Sequence, residues 1–273
     1  MWKRTPIVAG SFYPSSPARI RNDIDQYLRE AVGERVSGEI IGLVSPHAGY
    51  IYSGPVAAYS YKQLVDQDVD VVVVLAPSHR LRFKGASVIP SGIYETPLGD
   101  VEIDEVLGHA LAEERHFEFI KDAHQYEHSL EVQVPFLQKV LKEFKIVPII
   151  IGSSDLAICR EIAAELVNHL KKEKRRFVLV ISTDLSHYYP YKQASEIDHV
   201  FIEALKSFDE NRLGSELSCE KAQACGAGPV LTGLMASRAL GAHRVEILKY
   251  ANSGDTAGGK DEVVGYLAAA FVK

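Results

Sequence analysis

The chain is poor in the features that would tie it to several protein classes. Its three cysteines, Cys159, Cys219 and Cys225, are an odd number without framework spacing among 273 residues, which excludes a disulfide scaffold and suits a reducing, cytoplasmic setting. No apolar run approaches the roughly 18 to 20 residues that a membrane span needs: runs such as 69–77, broken by Asp70, and 177–181 fall far short. Basic residues are scattered apart from a short run at 171–176, and the formal net charge is -6, so nucleic acid is not expected as a partner. Lys3 and Arg4 imitate the start of a signal peptide, but Pro6, Gly10 and Pro14 interrupt the apolar stretch that would have to follow. Internal repeats, low-complexity tracts and linkers are lacking as well.

The remaining composition, 47% apolar and 24% charged, is that of a globular chain. A chain of this length buries roughly three quarters of its unfolded surface, so its core needs no metal or disulfide staple and a bound metal would serve function. Short β-branched runs recur at residues 40–44, 69–75, 86–90, 146–151, 177–181, 244–250 and 263–272, several of them apolar at nearly every position. Stretches with helical spacing alternate with them, at 18–32, 54–65, 104–114, 130–144, 155–172, 193–205 and 228–240. This alternation predicts an α/β fold: one domain over 1–273 with a central mixed, largely parallel sheet flanked by helices. Residues 94–98 and 101–103, joined by Gly99-Asp100, read as a hairpin, and the region 83–104 is the one place where a small cap could form.

Chemistry gathers at strand ends. The run 40–44 leads into Ser45-Pro46-His47, the run 69–75 into Pro77-Ser78-His79, and the run 177–181 into Ser182-Thr183-Asp184-Leu185-Ser186-His187. In an open α/β sheet the carboxyl ends of strands form the binding crevice, so three imidazoles at equivalent positions can converge on one site. His124-Gln125-Tyr126-Glu127-His128 spells H-x-x-E-H, the inverted zincin pattern, but it falls at a helix start ahead of Pro135 and is read as a polar loop. Cys225 precedes Gly226-Ala227-Gly228-Pro229 at the start of a helix, where a thiol acquires a lowered pKa and serves as metal ligand or nucleophile; a small residue in a tight turn is the plainer reading, and Cys159 and Cys219 are read only that way. The glycine-rich piece at 253–260 matches neither a P-loop nor a dinucleotide fingerprint and is read as a mobile loop near the crevice.

Six blocks, in order, resemble the Memo family: residues 9–14 (Ala-Gly-Ser-Phe-Tyr-Pro), 46–50 (Pro-His-Ala-Gly-Tyr), 77–79 (Pro-Ser-His), 127–131 (Glu-His-Ser-Leu-Glu), 182–187 (Ser-Thr-Asp-Leu-Ser-His) and 225–229 (Cys-Gly-Ala-Gly-Pro). The eukaryotic member of that family was named as a mediator of ErbB-driven cell motility, and microbial members occur beside radical-SAM and AMMECR-type proteins. The resemblance implies a fold similar to class III extradiol dioxygenases, which hold non-haem Fe(II) with two histidines and a carboxylate. It implies His47 and His79 as metal ligands, Cys225 in place of the carboxylate, and His187 as the acid-base residue. Asp184, three residues before His187, is expected to orient that ring or bond metal-bound water, as carboxylates beside metal ligands do.

The expected cofactor is one ion, Fe(II) or Cu, with Zn as the alternative. A thiolate with two imidazoles departs from the facial triad of Fe(II) oxygenases, so dioxygenase activity does not follow from the fold. The leading expectation is a cytoplasmic redox protein acting on a small substrate with O2. One alternative is a peptide- or protein-binding module whose crevice is lined by Phe12, Tyr13, Tyr50, Glu127 and His128, in line with the phosphotyrosine peptides linked to eukaryotic relatives. Another is a zinc-dependent hydrolase. Radical-SAM or AMMECR-type proteins are the protein partners the resemblance suggests.

Overall fold

Residues 71–77, Val-Val-Val-Val-Leu-Ala-Pro, carry no polar side chain, and in the computed structural model, which describes residues 2–273, they form a fully buried strand in the middle of the sheet. The first half of the chain runs β1 (Trp2–Arg4), α1 (Pro17–Glu30), β2 (Ile40–Ser45), α2 (Tyr50–Lys62), β3 (Val71–Pro77), β4 (Ala86–Val88), β5 (Gly92–Thr96), β6 (Gly99–Glu102), α3 (Glu105–Ala112) and β7 (Phe117–Glu118). Next come α4 (Lys121–Gln125), α5 (His128–Glu131), α6 (Val134–Val140), β8 (Lys145–Ile151), α7 (Leu156–Leu170), β9 (Phe177–Ser182) and β10 (Asp184–Tyr189). The chain ends with α8 (Tyr191–Lys206), α9 (Glu210–Ser218), α10 (Ala227–Ala239), β11 (Arg244–Asn252), α11 (Ser253–Thr256) and β12 (Val263–Val272).

The main sheet runs β10-β12-β2-β9-β3-β8-β4-β7, with β11 on the other edge of β12. Its centre, β2, β9, β3 and β8, is parallel, while β12, β10, β11 and β4 pair antiparallel, so the sheet is mixed as expected. Side chains alternate between two cores. Val71, Val73 and Leu75 pack with α3, α7, α8, α9 and α10, whereas Val72, Val74 and Ala76 pack with α1, α2, α5 and α6. Both faces are covered, which explains why these strands are apolar without alternation.

The hairpin at 94–103 is present as antiparallel β5 and β6, joined by β1 in a separate three-stranded sheet. It forms no cap of its own, because Tyr94 and Val101 enter the same core as α1 and α2. The helix expected over 130–144 is broken into α5 and α6, and Pro135 stands in the first turn of the second. Helix α2 begins four residues ahead of Gly54 because the Tyr50 N–H donates to the Phe12 carbonyl at 2.7 Å, a tertiary contact that starts the first turn. The glycine-rich piece is also ordered at its start: Asn252 and Asp255 form a capping box on α11, and the Tyr191 hydroxyl donates to Asp255 at 2.7 Å.

His124, the first residue of the H-x-x-E-H string, faces away from the strand ends. It is buried, its Nε2 lies 3.0 Å from Ser87 Oγ, and Trp2 and Phe119 lie against its ring. Burial, reinforced by the Arg4 charge, holds the imidazole down at about 3. The unfolded chain binds that proton near pH 6.5 and the folded chain does not, so stability is unaffected above pH 6.5 and falls as pH drops toward 3. A His124→Gln variant should lose less stability than the parent between about pH 6.5 and 4, by a few kcal/mol. Urea unfolding across that range measures the difference, and parallel pH profiles would refute it.

Candidate metal centre

Three imidazoles meet where the parallel strands end. The ligand nitrogens of His47, His79 and His128 all lie within 4.8 Å of one another, a grouping that could hold a metal ion. His47 follows β2, His79 follows β3, and His128 opens α5, whose short helix packs on the end of β3. The His79 and His128 rings are stacked with centroids 4.7 Å apart, and His47 stands nearly perpendicular to both.

The hydrogen bonds determine which nitrogen faces the cluster. Ser182 Oγ lies 2.7 Å from the Ser129 carbonyl oxygen, which can only accept, so the serine hydrogen is committed there. Ser182 Oγ therefore accepts from His47 Nδ1 at 2.8 Å, and also from Gln133 Nε2, so the His47 ring hydrogen is on Nδ1 and the Nε2 lone pair points at the Cys225 thiol. His79 Nδ1 donates to Glu127 Oε1 at 2.8 Å, and the His79 backbone N–H donates to Glu127 Oε2 at 2.6 Å. This is the carboxylate-histidine arrangement that orients metal ligands. Burial alone would raise the Glu127 carboxyl, but its bonds to His79 and to the Ser129 N–H prevail and hold it at about 2. Burial keeps His47 well below its usual range and lowers His128 to about 4, so both rings are neutral, as ligation requires.

Cys225, two residues ahead of α10, contacts the cluster at His47. Its Sγ lies 3.1 Å from His47 Nε2 and accepts from the Asp184 N–H at 3.2 Å. The glycines after it have a steric cause: a Cβ at Gly226 would sit 2.4 Å from the Ser182 carbonyl, and one at Gly228 would sit 2.2 Å from the Ser153 carbonyl. Any side chain there would push α10, and the thiol with it, off the strand ends. The lowered thiol pKa expected at a helix start is not found. Burial, followed by the neighbouring Asp184 carboxylate, pushes the Cys225 thiol up. Of the other two cysteines, Cys159 is buried as expected, whereas Cys219 is exposed.

His187 and Asp184 lie on β10, a strand that no apolar run in the sequence marks. Its pairing with β12 shifts register on both sides of His187, and Tyr188 takes a left-handed φ of 64°. His187 Nδ1 donates to the Leu185 carbonyl at 2.8 Å, so its Nε2 is unprotonated, and burial lowers its pKa. Asp184 does not orient that ring. Its Oδ1 accepts from the His47 N–H at 2.7 Å, its Oδ2 lies 4.0 Å from His47 Nε2, and burial raises the carboxyl to about 7 against the pull of the His47 and Ala48 N–H groups.

A family model described as Memo-like protein matches residues 4–270. The chain belongs to the Memo family. A MEMO1 family protein from Saccharolobus islandicus is 40% identical over 282 residues, spanning 98% of this chain and 99% of its own length. Another, from Methanopyrus kandleri, is 39% identical over 281 residues with the same coverage. The crystal structure of an uncharacterized protein from Escherichia coli K12 shares the fold, with a TM-score of 0.52 and 17% identity, covering 84% of this chain and 99% of that one.

In this Memo-family chain the residues expected to line a crevice separate into two groups. Glu127 and His128 are at the centre, and half-buried Phe12 packs its ring 4.8 Å from that of His128. Tyr13 and Tyr50 do not reach a rim. Both are buried, with Tyr13 donating to Glu131 at 2.6 Å and Tyr50 to the Val132 carbonyl at 2.7 Å, so they cannot anchor a peptide. A cavity of about 890 Å³ beside the centre has walls from the start of α7, from α9 and from residues 220–227; His187 and Cys225 line it, whereas His47, His79 and His128 do not. Helix α9 is only nine residues long with two leucines on it, too short a stretch for the sequence to mark this wall.

Sequence reasoning also missed the supports. Gln133 donates to the Pro46 carbonyl at 3.0 Å as well as to Ser182, and accepts from Tyr61. Arg4, read as part of a leader-like start, is buried and ion-paired with buried Glu131, and its guanidinium donates to the carbonyls of His124 and Glu127. Glu131 in turn accepts from the N–H groups of Ile7 and Val8. Beyond its place in the block at 127–131, nothing in the sequence marks Glu131 for this pairing.

Proposed function

We propose that this Memo-family protein is a cytoplasmic oxidoreductase that holds one redox-active ion, iron or copper, at His47, His79 and Cys225 and acts on a small substrate with O2. What supports this reading is the clustering of His47 and His79, each with its Nδ1 hydrogen committed to a protein acceptor, with the Cys225 thiol 3.1 Å from His47 Nε2. The donor set fits such an ion: two neutral nitrogens and one soft sulfur suit iron and copper, and the Asp184 N–H stabilises charge on Sγ. When bound, the ion would supply electron transfer and a coordination position open to O2 or substrate. The chain's own groups supply the rest. His187 Nε2, at the end of the cavity, accepts a proton from a substrate hydroxyl or amine while Leu185 holds the ring's orientation. The Asp184 carboxyl, raised by burial to about 7, exchanges a proton near neutral pH beside His47.

Elemental analysis of anaerobically purified protein tests the site. The parent should carry close to one equivalent of iron or copper, and His47→Ala, His79→Ala and Cys225→Ala should each lose it, with His128→Ala retaining it. Loss in His128→Ala together with retention in Cys225→Ala would replace the thiol ligand by a third histidine. A metal-free parent would overturn the reading, and stoichiometric zinc would favour the hydrolytic alternative.

A further inference from the structure

Two helix N-termini, those of α7 and α10, abut the 890 Å³ cavity, an arrangement that in most proteins makes an anion site. Here several of the donors beside it are already used. Asp155 caps α7 by accepting from the N–H groups of Ala157 and Ile158 at 2.9 and 3.0 Å. At α10, the Cys225 N–H donates to the Asp184 carbonyl, the Gly226 N–H to Thr183 Oγ1 and the Ala227 N–H to the Ala224 carbonyl. No lysine or arginine lines the cavity among the described residues, and its charged walls, Asp155 and Glu220, are both carboxylates. The imidazole at its end, His187, is held neutral by burial.

We infer that this cavity is the access path to Cys225 and His187 and that it admits neutral or cationic organic molecules while rejecting phosphates and carboxylates. Its volume lies in the range of small-molecule sites, and Leu156, Leu185, Leu217 and Leu231 supply an apolar surface against a hydrocarbon portion. Carboxylates at a mouth of low-dielectric walls attract cations and repel anions over about a Debye length, with the effect fading in salt. The inference supplies a substrate class for the oxidoreductase reading and rests on it for the chemistry, but the path itself can be tested without metal.

The test uses the full chain carrying Cys219→Ala, stripped of metal by a chelator, so that Cys225 is the accessible thiol while Cys159 stays buried. Its modification is timed with trimethylammonioethyl and sulfonatoethyl methanethiosulfonates, each rate divided by that reagent's rate on free mercaptoethanol. The cationic reagent should be favoured about tenfold at low ionic strength, and the preference should shrink toward unity in about 1 M salt. Glu220→Lys with Asp155→Asn, which keeps a capping side chain, should abolish or reverse the preference. Ser215→Trp, at an exposed position on the α9 wall, should slow both reagents. A normalised preference at or below one, or rates unchanged by Ser215→Trp, would overturn the inference. Failure of the metal assignment would show separately, in the elemental analysis, without moving these rates.

Discussion

Glu131→Leu should destabilise the protein by about 3 to 5 kcal/mol, the largest single-residue effect expected outside the apolar core. The substitution leaves the Arg4 guanidinium buried without its counter-charge, and it removes the acceptor for the N–H groups of Ile7 and Val8 and for the Tyr13 hydroxyl. Replacing a buried ion pair by two apolar residues is often nearly neutral, but here the double variant Arg4→Met/Glu131→Leu should not recover. The carbonyls of His124 and Glu127 and the Val8 N–H would remain buried without partners, each costing about 1 to 3 kcal/mol, and the partly buried Ile7 N–H would lose its acceptor. Urea denaturation of parent, single and double variants decides this. A double variant within about 1 kcal/mol of the parent would mean that these backbone groups find other partners.

Glu127→Gln should weaken metal binding by about 10- to 100-fold while leaving the fold intact, whereas His79→Ala should remove the metal altogether. The carboxylate takes the His79 Nδ1 hydrogen and the His79 backbone N–H together, so it determines both the tautomer and the direction of the ring. A carboxamide keeps one acceptor but lacks the charge, and its NH2 group must face one of two donors. Competition with a chelator of known affinity measures the difference between the variants. Equal metal affinity in Glu127→Gln and the parent would show that His79 needs no such orientation, or that it is not a ligand. Because Arg4 donates to the Glu127 carbonyl at 2.6 Å, the N-terminal strand also buttresses this carboxylate.

The α/β class, the mixed sheet and the strand ends carrying His47 and His79 were legible because buried parallel strands leave unbroken apolar runs and the residues after them fall at the sheet's carboxyl edge. The reach of Cys225 to His47 was legible only through the Memo resemblance, since the two are far apart in the chain and no periodicity links them. Strand β10 was not legible. Its residues are polar, it pairs irregularly with β12, and a left-handed Tyr188 interrupts it. Tyr13 and Tyr50 were misplaced for the opposite reason: an aromatic with a hydroxyl suits a rim or a core equally, and only the positions of Glu131 and the Val132 carbonyl decide between them.

Sequence alone thus determined the layered architecture and the strand-end positions of the histidines, because hydrophobic periodicity and chain order are local properties. Tertiary structure alone decided that His128 stands with His47 and His79, that Ser182 and Glu127 turn their free nitrogens inward, that Arg4 and Glu131 are a buried pair, and that the cavity opens between α7, α9 and α10. Each of these depends on hydrogen bonds or packing between residues distant in sequence. A buried polar group must find its partner wherever the fold brings one, and that choice is made by the folded chain as a whole.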